Sequence, residues 1–486
     1  MIGEDAAVAD DANATKTLRH DALSRFDSVL VAIAGTAPAN AIAVSTAALA
    51  VAVGVYGPGS ILFGAIAMFG IAIAFFYLNA WRSDAGASYA WVGRSLNPVL
   101  GFMAGWSVLI ANLLFMVAGS LPAASATLYL FAPQLADNVL AVTLLGAVWF
   151  VFIAIIVLVG IRTTAQFQKI VTSIEVLGVA FIAIVGIIRG VMSHAGHFSV
   201  TWFSPLGSGS LSSFVAGMLV TLFYFWGWDV SANLAEETKD RNRTPGVGGL
   251  LGMGVILALF VLTQVSMQLS LSTTAIAAAN TNVLERFADA ILPRPWGDIA
   301  VLIVIVSTIG TLETCLLAVS RTMMSMGRDR VISTRFADLH PRFATPWFGS
   351  IAFASIALLL FAIAAVSPSV NALLIASVNA IGIQIAMYYG LSGFACAWYY
   401  RKTYANDHAA FWLRGIWPVS AAVFLWVVSI VQMTGASWQA NSVTVGLLLL
   451  GIVPLVTYRV KYRPDFYRDP LEIAPVQLSR TNADAV

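Results

Sequence analysis

Three acidic residues lie within long apolar runs of the sequence, where ionisable side chains are rare. They are Glu175, Asp229 and Glu313, and no lysine or arginine lies at a comparable depth in these runs. At the centre of a bilayer such a residue costs at least about 2.5 kcal/mol, so it indicates a functional role by default. A carboxyl group in apolar surroundings can take up and release a proton, or it can bind a cation.

Two apolar runs also contain residues that interrupt a helix at their centre. The first, Val29–Val53, contains GTAPAN, and the second contains FYFWGWD. Pro38 removes a backbone donor and Gly35 permits backbone angles that other residues avoid, although a proline kink filled by a neighbouring helix is an alternative. The residues expected to bind a substrate at the two interruptions are Gly35, Thr36, Ala37, Pro38, Ala39, Asn40, Phe223, Phe225, Trp226, Gly227, Trp228 and Asp229.

A helix that breaks within a membrane offers polar backbone groups on both sides of the break. The first half ends in free carbonyls, which suit an ammonium group, and the second half begins with free N–H groups, which suit a carboxylate. Aromatic rings such as those of Trp226 and Trp228 also attract organic cations. Paired breaks in the two halves of a membrane protein indicate a transport site, and a small zwitterion or amine fits such a site.

The composition indicates which elements must hold these residues. The chain has 486 residues, of which 59% are hydrophobic and 10% are charged, whereas a soluble protein carries about 25% charged residues. We therefore expect an all-α membrane protein whose helices each use about 20 apolar residues to cross the bilayer. The twelve spans that this criterion predicts are 26–54, 60–81, 98–130, 139–161, 164–190, 211–237, 246–270, 297–326, 347–366, 371–400, 414–434 and 440–458.

The interrupted spans are the first and the sixth of this set. This spacing predicts two inverted repeats of five spans, at about 23–190 and 211–400, followed by two C-terminal helices. Together they form a transmembrane domain over 23–458, flanked by polar tails at 1–22 and 459–486.

Basic residues are distributed unevenly between the two sides that these spans define. If the N-terminus is cytoplasmic, all but three of the 26 lysines and arginines fall in cytoplasmic loops and tails, the exceptions being Arg189, Arg286 and Arg294. Cytoplasmic loops are the ones enriched in such residues. We therefore expect an integral protein of a bacterial plasma membrane with both termini in the cytoplasm.

No motif for soluble chemistry accompanies these spans. The patterns H-E-x-x-H, G-x-S-x-G and the P-loop do not occur in the sequence, so we expect neither an enzyme nor a cofactor, a metal or a nucleic-acid partner. The glycine-rich GVGGLLG at 246–252 opens an apolar span and indicates close helix packing rather than phosphate binding.

Three longer segments carry a resemblance to a known family. They are 83–106 (SDAGASYAWVGRSLNPVLGFMAGW), 223–245 (FYFWGWDVSANLAEETKDRNRTP) and 310–346 (GTLETCLLAVSRTMMSMGRDRVISTRFADLHPRFATP). Over residues 23 to 460 the chain resembles the amino acid–polyamine–organocation superfamily, whose members share the leucine-transporter fold. It departs from that pattern at GTAPAN, where members usually carry a G-S-G-I-F-like motif, and at Glu175, where many carry a lysine.

The resemblance implies roles for several of these residues. Phe223 matches an aromatic gate of arginine/agmatine antiporters, and Asp229 matches an acid implicated in their proton sensitivity. Glu175 lies where the lysine of relatives is the proposed coupling group, so we expect its protonation to be linked to inward movement of substrate. The alternatives are a Glu175 permanently hydrogen-bonded to backbone and an Asp229 that caps the second half-helix. For Glu313 we expect a structural hydrogen bond to an adjacent helix.

Together, these expectations predict a secondary active transporter that imports a small amino acid or amine by alternating access. We expect this import to be coupled to the movement of protons. The resemblance implies that spans 1, 2, 6 and 7 rock against spans 3, 4, 5, 8, 9 and 10. An exchanger with the same fold is the alternative, and a membrane receptor or channel is a more remote one. Three intramembrane acids without a basic residue among them disfavour glutamate and aspartate as substrates, because a further negative charge would be repelled. The identity of the substrate, the acid that carries the proton and the oligomeric state stay open.

Overall fold

The computed structural model describes residues 17–475 except 137, 194–196, 205, 280–281 and 294–295. Within this part the secondary structure is helical, and an isolated bridge between Leu23 and Thr238 is the one β-type pairing. The all-α expectation is therefore confirmed. Most of the tail 1–22, the end of the tail 459–486 and Arg294 lie outside the described residues.

The α-helices divide between the two halves of the described chain. The first half of the chain contains α1 (Arg25–Thr36), α2 (Pro38–Val53), α3 (Gly57–Trp81), α4 (Ser88–Ser95), α5 (Pro98–Phe131), α6 (Val139–Val159), α7 (Ile161–Ser193), α8 (Leu211–Tyr224) and α9 (Val230–Asn233). The second half contains α10 (Thr244–Ser270), α11 (Thr273–Ala278), α12 (Val283–Ile291), α13 (Trp296–Arg328), α14 (Trp347–Ala364), α15 (Val370–Tyr400), α16 (Trp417–Gly435), α17 (Trp438–Leu450) and α18 (Ile452–Thr457).

Ten helical segments of the described chain are long and apolar enough to cross a membrane. The segment Arg25–Trp81 counts as one of them, although two spans were predicted over it, and α8 alone is too short to count. These two places account for the difference from the predicted twelve. The exact number of spans and their repeat arrangement therefore stay predictions.

The outer helices carry apolar side chains that no other part of the described chain covers. On α6, Leu144, Val148, Val151 and Ile155 are each at least 40% exposed, and their spacing places them on one face of the helix. In water such a stripe would be unfavourable, whereas lipid chains solvate it. This surface agrees with a membrane-embedded fold.

The glycine-rich start of α10 packs closely against α1, as its sequence predicted. A Cβ added to Gly248 would lie 2.8 Å from the Cβ of Ser28, and one added to Gly252 would lie 2.7 Å from the Cβ of Ala32. Only small residues on both helices allow this approach. Further in, α13 packs against α1, α2, α5 and α7, so it borders both halves of the first interrupted span.

One end of the helix bundle is held together by an ionic cluster of Asp84, Glu236, Glu237, Arg321 and Arg328. Arg321 donates from Nε to Glu237 at 3.0 Å, and both side chains are completely buried. Arg328 donates to both carboxylate oxygens of Glu236 and lies 3.6 Å from Asp84. The cluster thereby joins the loop after α3, the segment after α9 and the end of α13.

Residues 465–474, here called the C-terminal strap, lie across this same end. The Glu472 carboxylate pairs with Arg82 at 3.1 Å. The Phe466 ring stacks on the Tyr89 ring with centroids 5.0 Å apart. The beginning of the predicted C-terminal tail is thus bonded to the region that follows α3.

Candidate functional site

The two predicted interruptions meet inside the bundle. A Cβ added to Gly35 would overlap the carbonyl group of Gly227, and one added to Gly227 would overlap the carbonyl group of Gly35. Gly227 also has a φ of +106°, which L side chains rarely adopt. Glycine is therefore required at both positions for the broken helices to touch.

The first interruption is confined to a single residue. α1 ends at Thr36, Ala37 takes up left-handed backbone angles (φ 50°, ψ 69°), and Pro38 begins α2. The Ala37 N–H bonds back to the carbonyls of Ile33 and Ala34, both at 3.1 Å. A proline at the first helical position lacks only an N–H that would have no partner within the helix, so the new helix starts there at little cost.

The side chain of Glu175, which belongs to α7, lies at the first turn of α2. Its Oε1 accepts a hydrogen bond from the Ala39 N–H at 3.0 Å and another from the Ser307 hydroxyl at 2.5 Å. The Ser307 Oγ in turn accepts from the Asn40 N–H at 3.1 Å. The expectation of free N–H groups at this helix start is therefore wrong, because the protein's own side chains bind them.

The carbonyl end of α1 is also in contact with α13. The Thr311 hydroxyl donates to the Gly35 carbonyl oxygen at 2.9 Å. Ser307 and Thr311 are one helical turn apart on α13. One face of this helix therefore hydrogen-bonds both to the end of α1 and to the start of α2. Sequence reasoning missed both residues, although their spacing in an apolar span was a usable signal.

The second interruption separates α8 from the single turn α9. The Trp226 N–H bonds to the Phe223 carbonyl at 3.3 Å, and the Val230 N–H bonds to the Gly227 carbonyl at 3.3 Å. Asp229 precedes α9 but makes no capping hydrogen bond to it, so the capping alternative is wrong. Its Oδ1 instead accepts from the Tyr389 hydroxyl of α15 at 2.7 Å.

Aromatic side chains surround this carboxylate. Trp228 stacks on Tyr389 with ring centroids 5.6 Å apart. Trp226 donates its indole N–H to the Tyr388 hydroxyl at 2.7 Å and meets the Phe115 ring edge-on. Sequence reasoning missed Phe115, Tyr388 and Tyr389, although a Tyr-Tyr pair in an otherwise apolar span was visible.

The other two predicted aromatic residues of the second interruption differ in their burial and in their neighbours. Phe225 is fully buried and packs edge-on against Phe260 of α10. Phe223 is partly exposed, with its ring centroid 6.3 Å from that of Trp226. The structure thus brings Trp226, Trp228 and Asp229 together and places Phe225 in the packed core.

Glu313 is not part of this arrangement. It is completely buried, and neither carboxylate oxygen has a hydrogen-bond partner within the described chain, so the expected structural hydrogen bond is wrong. It lies two residues after Thr311, which places it about 200° round the helix from the face that contacts Gly35. Glu175 and Glu313 therefore lie in different surroundings, although both are buried acids.

Comparisons with known proteins agree with this architecture. A family model described as amino acid permease matches residues 23–453. The low-affinity putrescine importer PlaP of Escherichia coli is 26% identical over 317 residues, which cover 62% of this chain and 66% of the importer. The chain therefore spans slightly less than two thirds of that relative's length.

Two further relatives are named for other substrates or locations. The methylthioribose transporter of Bacillus subtilis is 26% identical over 69% of this chain and 74% of its own length. The vacuolar cationic amino acid transporter 4 of Arabidopsis thaliana is 25% identical over 56% of this chain and 47% of its own length. The match to the family model covers nearly the whole helical bundle, including both interruptions, and the chain belongs to the amino acid permease family.

Proposed function

We propose that this permease is a secondary active transporter that imports a small amino acid or amine by alternating access. The observation that carries the proposal is the meeting of two broken helices at Gly35 and Gly227, next to a buried Asp229. Irregular backbone at membrane depth is tolerated where protein or a cavity supplies its partners. A substrate ammonium would bind beside Asp229, with Trp226 and Tyr388 as the aromatic wall.

The fold proposed for this cycle has twelve spans. In it, Arg25–Trp81 crosses the membrane twice, and α8 together with α9 forms the sixth span. The bundle of spans 1, 2, 6 and 7 rocks against spans 3, 4, 5, 8, 9 and 10. The ionic cluster and the C-terminal strap then lie on the cytoplasmic side of a bacterial plasma membrane, where the positive-inside rule favours their arginines.

Proton coupling is the second part of the proposal, with Glu175 as the coupling group. Glu175 is completely buried, and its Oε2 has no partner within the described chain. Since its Oε1 bonds to the first turn of α2, a change in its protonation would act directly on the broken span. Asp229 is the other candidate for the coupled proton.

Uptake by purified protein in liposomes tests transport and coupling together. We expect labelled putrescine or a cationic amino acid to accumulate when the outside is acidic, and less so when the gradient is collapsed. Glu175→Gln should flatten the dependence of uptake on external pH. Uptake that does not depend on the proton gradient but increases with the substrate concentration inside the liposomes would identify an exchanger. The absence of uptake for every tested amine and amino acid would reject the proposal.

A further inference from the structure

We infer that Glu175 selects against substrates that carry a carboxylate, so that the transported compound is an amine without one. This inference rests on the proposed transport function and names the class of substrate within it. It follows from the hydrogen bonds that the backbone N–H groups at the start of α2 already make within the protein.

Every N–H group in the first turn of α2 has a partner within the protein. Pro38 has no N–H, and the Ala37 N–H bonds to the end of α1. The Ala39 N–H donates to Glu175, and the Asn40 N–H donates to Ser307. The Ala41 N–H closes the first helical bond to the Ala37 carbonyl at 2.8 Å. A substrate carboxylate would have to displace Glu175 to gain a donor here.

The charge of Glu175 adds to this exclusion. The side chain is completely buried, and it forms no ion pair within the described part of the chain. When Glu175 is ionised, a substrate carboxylate beside it would be a second buried anion without a compensating cation, which is strongly unfavourable. Within the described chain, the Oε2 atom of Glu175 and the buried Oδ1 of Asn40 have no hydrogen-bond partner.

The second interruption offers no alternative place for a carboxylate. α9 is a single turn, and the residue that precedes it is Asp229, whose own carboxylate is buried among aromatic rings. Asp229 accepts from Tyr389 and so remains oriented. Acidic side chains therefore lie at the start of both second half-helices, and these suit a cation and repel an anion.

Matched pairs of ligands that differ by one carboxylate test this inference. Putrescine and ornithine form one pair, and agmatine and arginine form another. With the purified full chain, we expect each amine to bind at least about tenfold more tightly than its amino acid in calorimetric titration, because burying the unpaired carboxylate is costly. Equal affinities within the pairs, or no binding by any of the four compounds, would overturn the inference.

Variants of Glu175 test whether this residue is the cause. Glu175→Ala releases the Ala39 N–H and should raise the affinity for ornithine relative to putrescine by about tenfold or more. Glu175→Gln keeps an acceptor for the Ala39 N–H but removes the charge, so it should lower the preference by less than Glu175→Ala does. Glu313→Ala removes another buried carboxyl from the bundle and should leave the ratio unchanged. If Glu175→Ala does not fold, Ser307→Ala, which releases the Asn40 N–H, should shift the ratio in the same direction.

The same ligands distinguish this inference from the proposed function. Equal uptake of ornithine and putrescine into liposomes would refute the selection by Glu175 while supporting transport. A preference for putrescine in binding, without uptake of either compound, would refute transport while supporting the selection. An unchanged preference in a folded Glu175→Ala would show that another residue sets it and would overturn the role of Glu175.

Discussion

Gly35 and Gly227 lie against each other with no room for a side chain on either, although 192 positions separate them. We expect Gly227→Ala to lower the melting temperature and to abolish uptake. The substitution combines an overlap with the Gly35 carbonyl and a positive φ, and the backbone strain alone costs about 1–3 kcal/mol. Thermal unfolding in detergent and uptake in liposomes measure the two effects.

Gly254 provides the control for this substitution. It lies within α10, and a Cβ added there would meet nothing within 4 Å. Gly254→Ala should therefore leave uptake intact and stabilise the helix by up to about 1 kcal/mol. A Gly227→Ala protein with normal melting and normal uptake would contradict the close contact of the two breaks.

Tyr389 should be required for the function of Asp229. Tyr389→Phe removes a hydroxyl that donates to the carboxylate at 2.7 Å, and a hydrogen bond to a charged group is worth about 1.5–3 kcal/mol. We expect the KM for a cationic substrate to rise about tenfold, since about 1.4 kcal/mol of binding energy corresponds to that factor. Uptake measured over a range of substrate concentrations tests this.

A second buried tyrosine separates this effect from general destabilisation. The Tyr400 hydroxyl donates to the Tyr77 carbonyl at 3.0 Å, away from both interruptions. Tyr400→Phe should lose about 1 kcal/mol of stability and keep the normal KM. If both variants raise KM equally, Tyr389 has no special role at Asp229.

Arg321 and Glu237 should each be costly to replace alone. Both side chains are completely buried, so Arg321→Met leaves an unpaired carboxylate and Glu237→Gln leaves an unpaired guanidinium. Breaking a buried pair in this way costs about 3–5 kcal/mol. We expect the double variant to recover part of this loss in a double-mutant cycle of unfolding free energies.

An exposed pair is the comparison for that cycle. Arg25 and Asp240 lie 3.8 Å apart, with side chains 70% and 52% exposed. Replacing either should change the free energy of unfolding by less than about 1 kcal/mol. Losses of the same size in the two pairs would mean that burial does not decide the strength of the ionic cluster.

Asp84 should make the fold sensitive to acid. Burial raises the pKa of its carboxyl, but Arg328, the Ser325 hydroxyl and the Gly86 N–H outweigh burial and hold the pKa below its usual value. Because the folded pKa is the lower one, the ionised group stabilises the fold above the unfolded pKa of about 3.9, and this contribution is lost as the pH falls. Asp84→Asn should therefore flatten the decrease in unfolding free energy between about pH 5 and about pH 3.

The pKa of Asp329 is shifted in the opposite direction to that of Asp84, so this residue provides a comparison. Burial raises the pKa of its carboxyl above the usual value despite the nearby Arg94. Its ionisation therefore opposes folding as the pH rises, so Asp329→Asn should not reduce the sensitivity to acid. Identical unfolding curves for wild type and Asp84→Asn across this pH range would contradict the assignment.

The helix breaks could be predicted from the sequence because their causes are local. Pro38 and Gly227 act through their own backbone properties, so the interruptions are visible without knowledge of any neighbour. The apolar runs similarly predict helices, since their length and composition are local quantities. The span count is harder to predict because adjoining helices such as those in Arg25–Trp81 have no polar loop between them.

The partners of the acids could not be predicted in the same way. Glu175 bonds to Ala39 across 136 positions, and Asp229 bonds to Tyr389 across 160. Such contacts depend on how whole helices are rotated and stacked, which a single sequence does not encode in any short pattern. Glu313 illustrates the same limit, because its position within a span did not reveal that it lacks a partner.

The C-terminal strap has a consequence for the order in which the protein is made. Its residues are synthesised after all the helices, yet Glu472 pairs with Arg82 and Phe466 stacks on Tyr89. When a ribosome has completed α18, the loop after α3 therefore still lacks these contacts. That end of the helix bundle gains these contacts only after the strap has left the ribosome, and a sequence inserted near residue 465 would delay them.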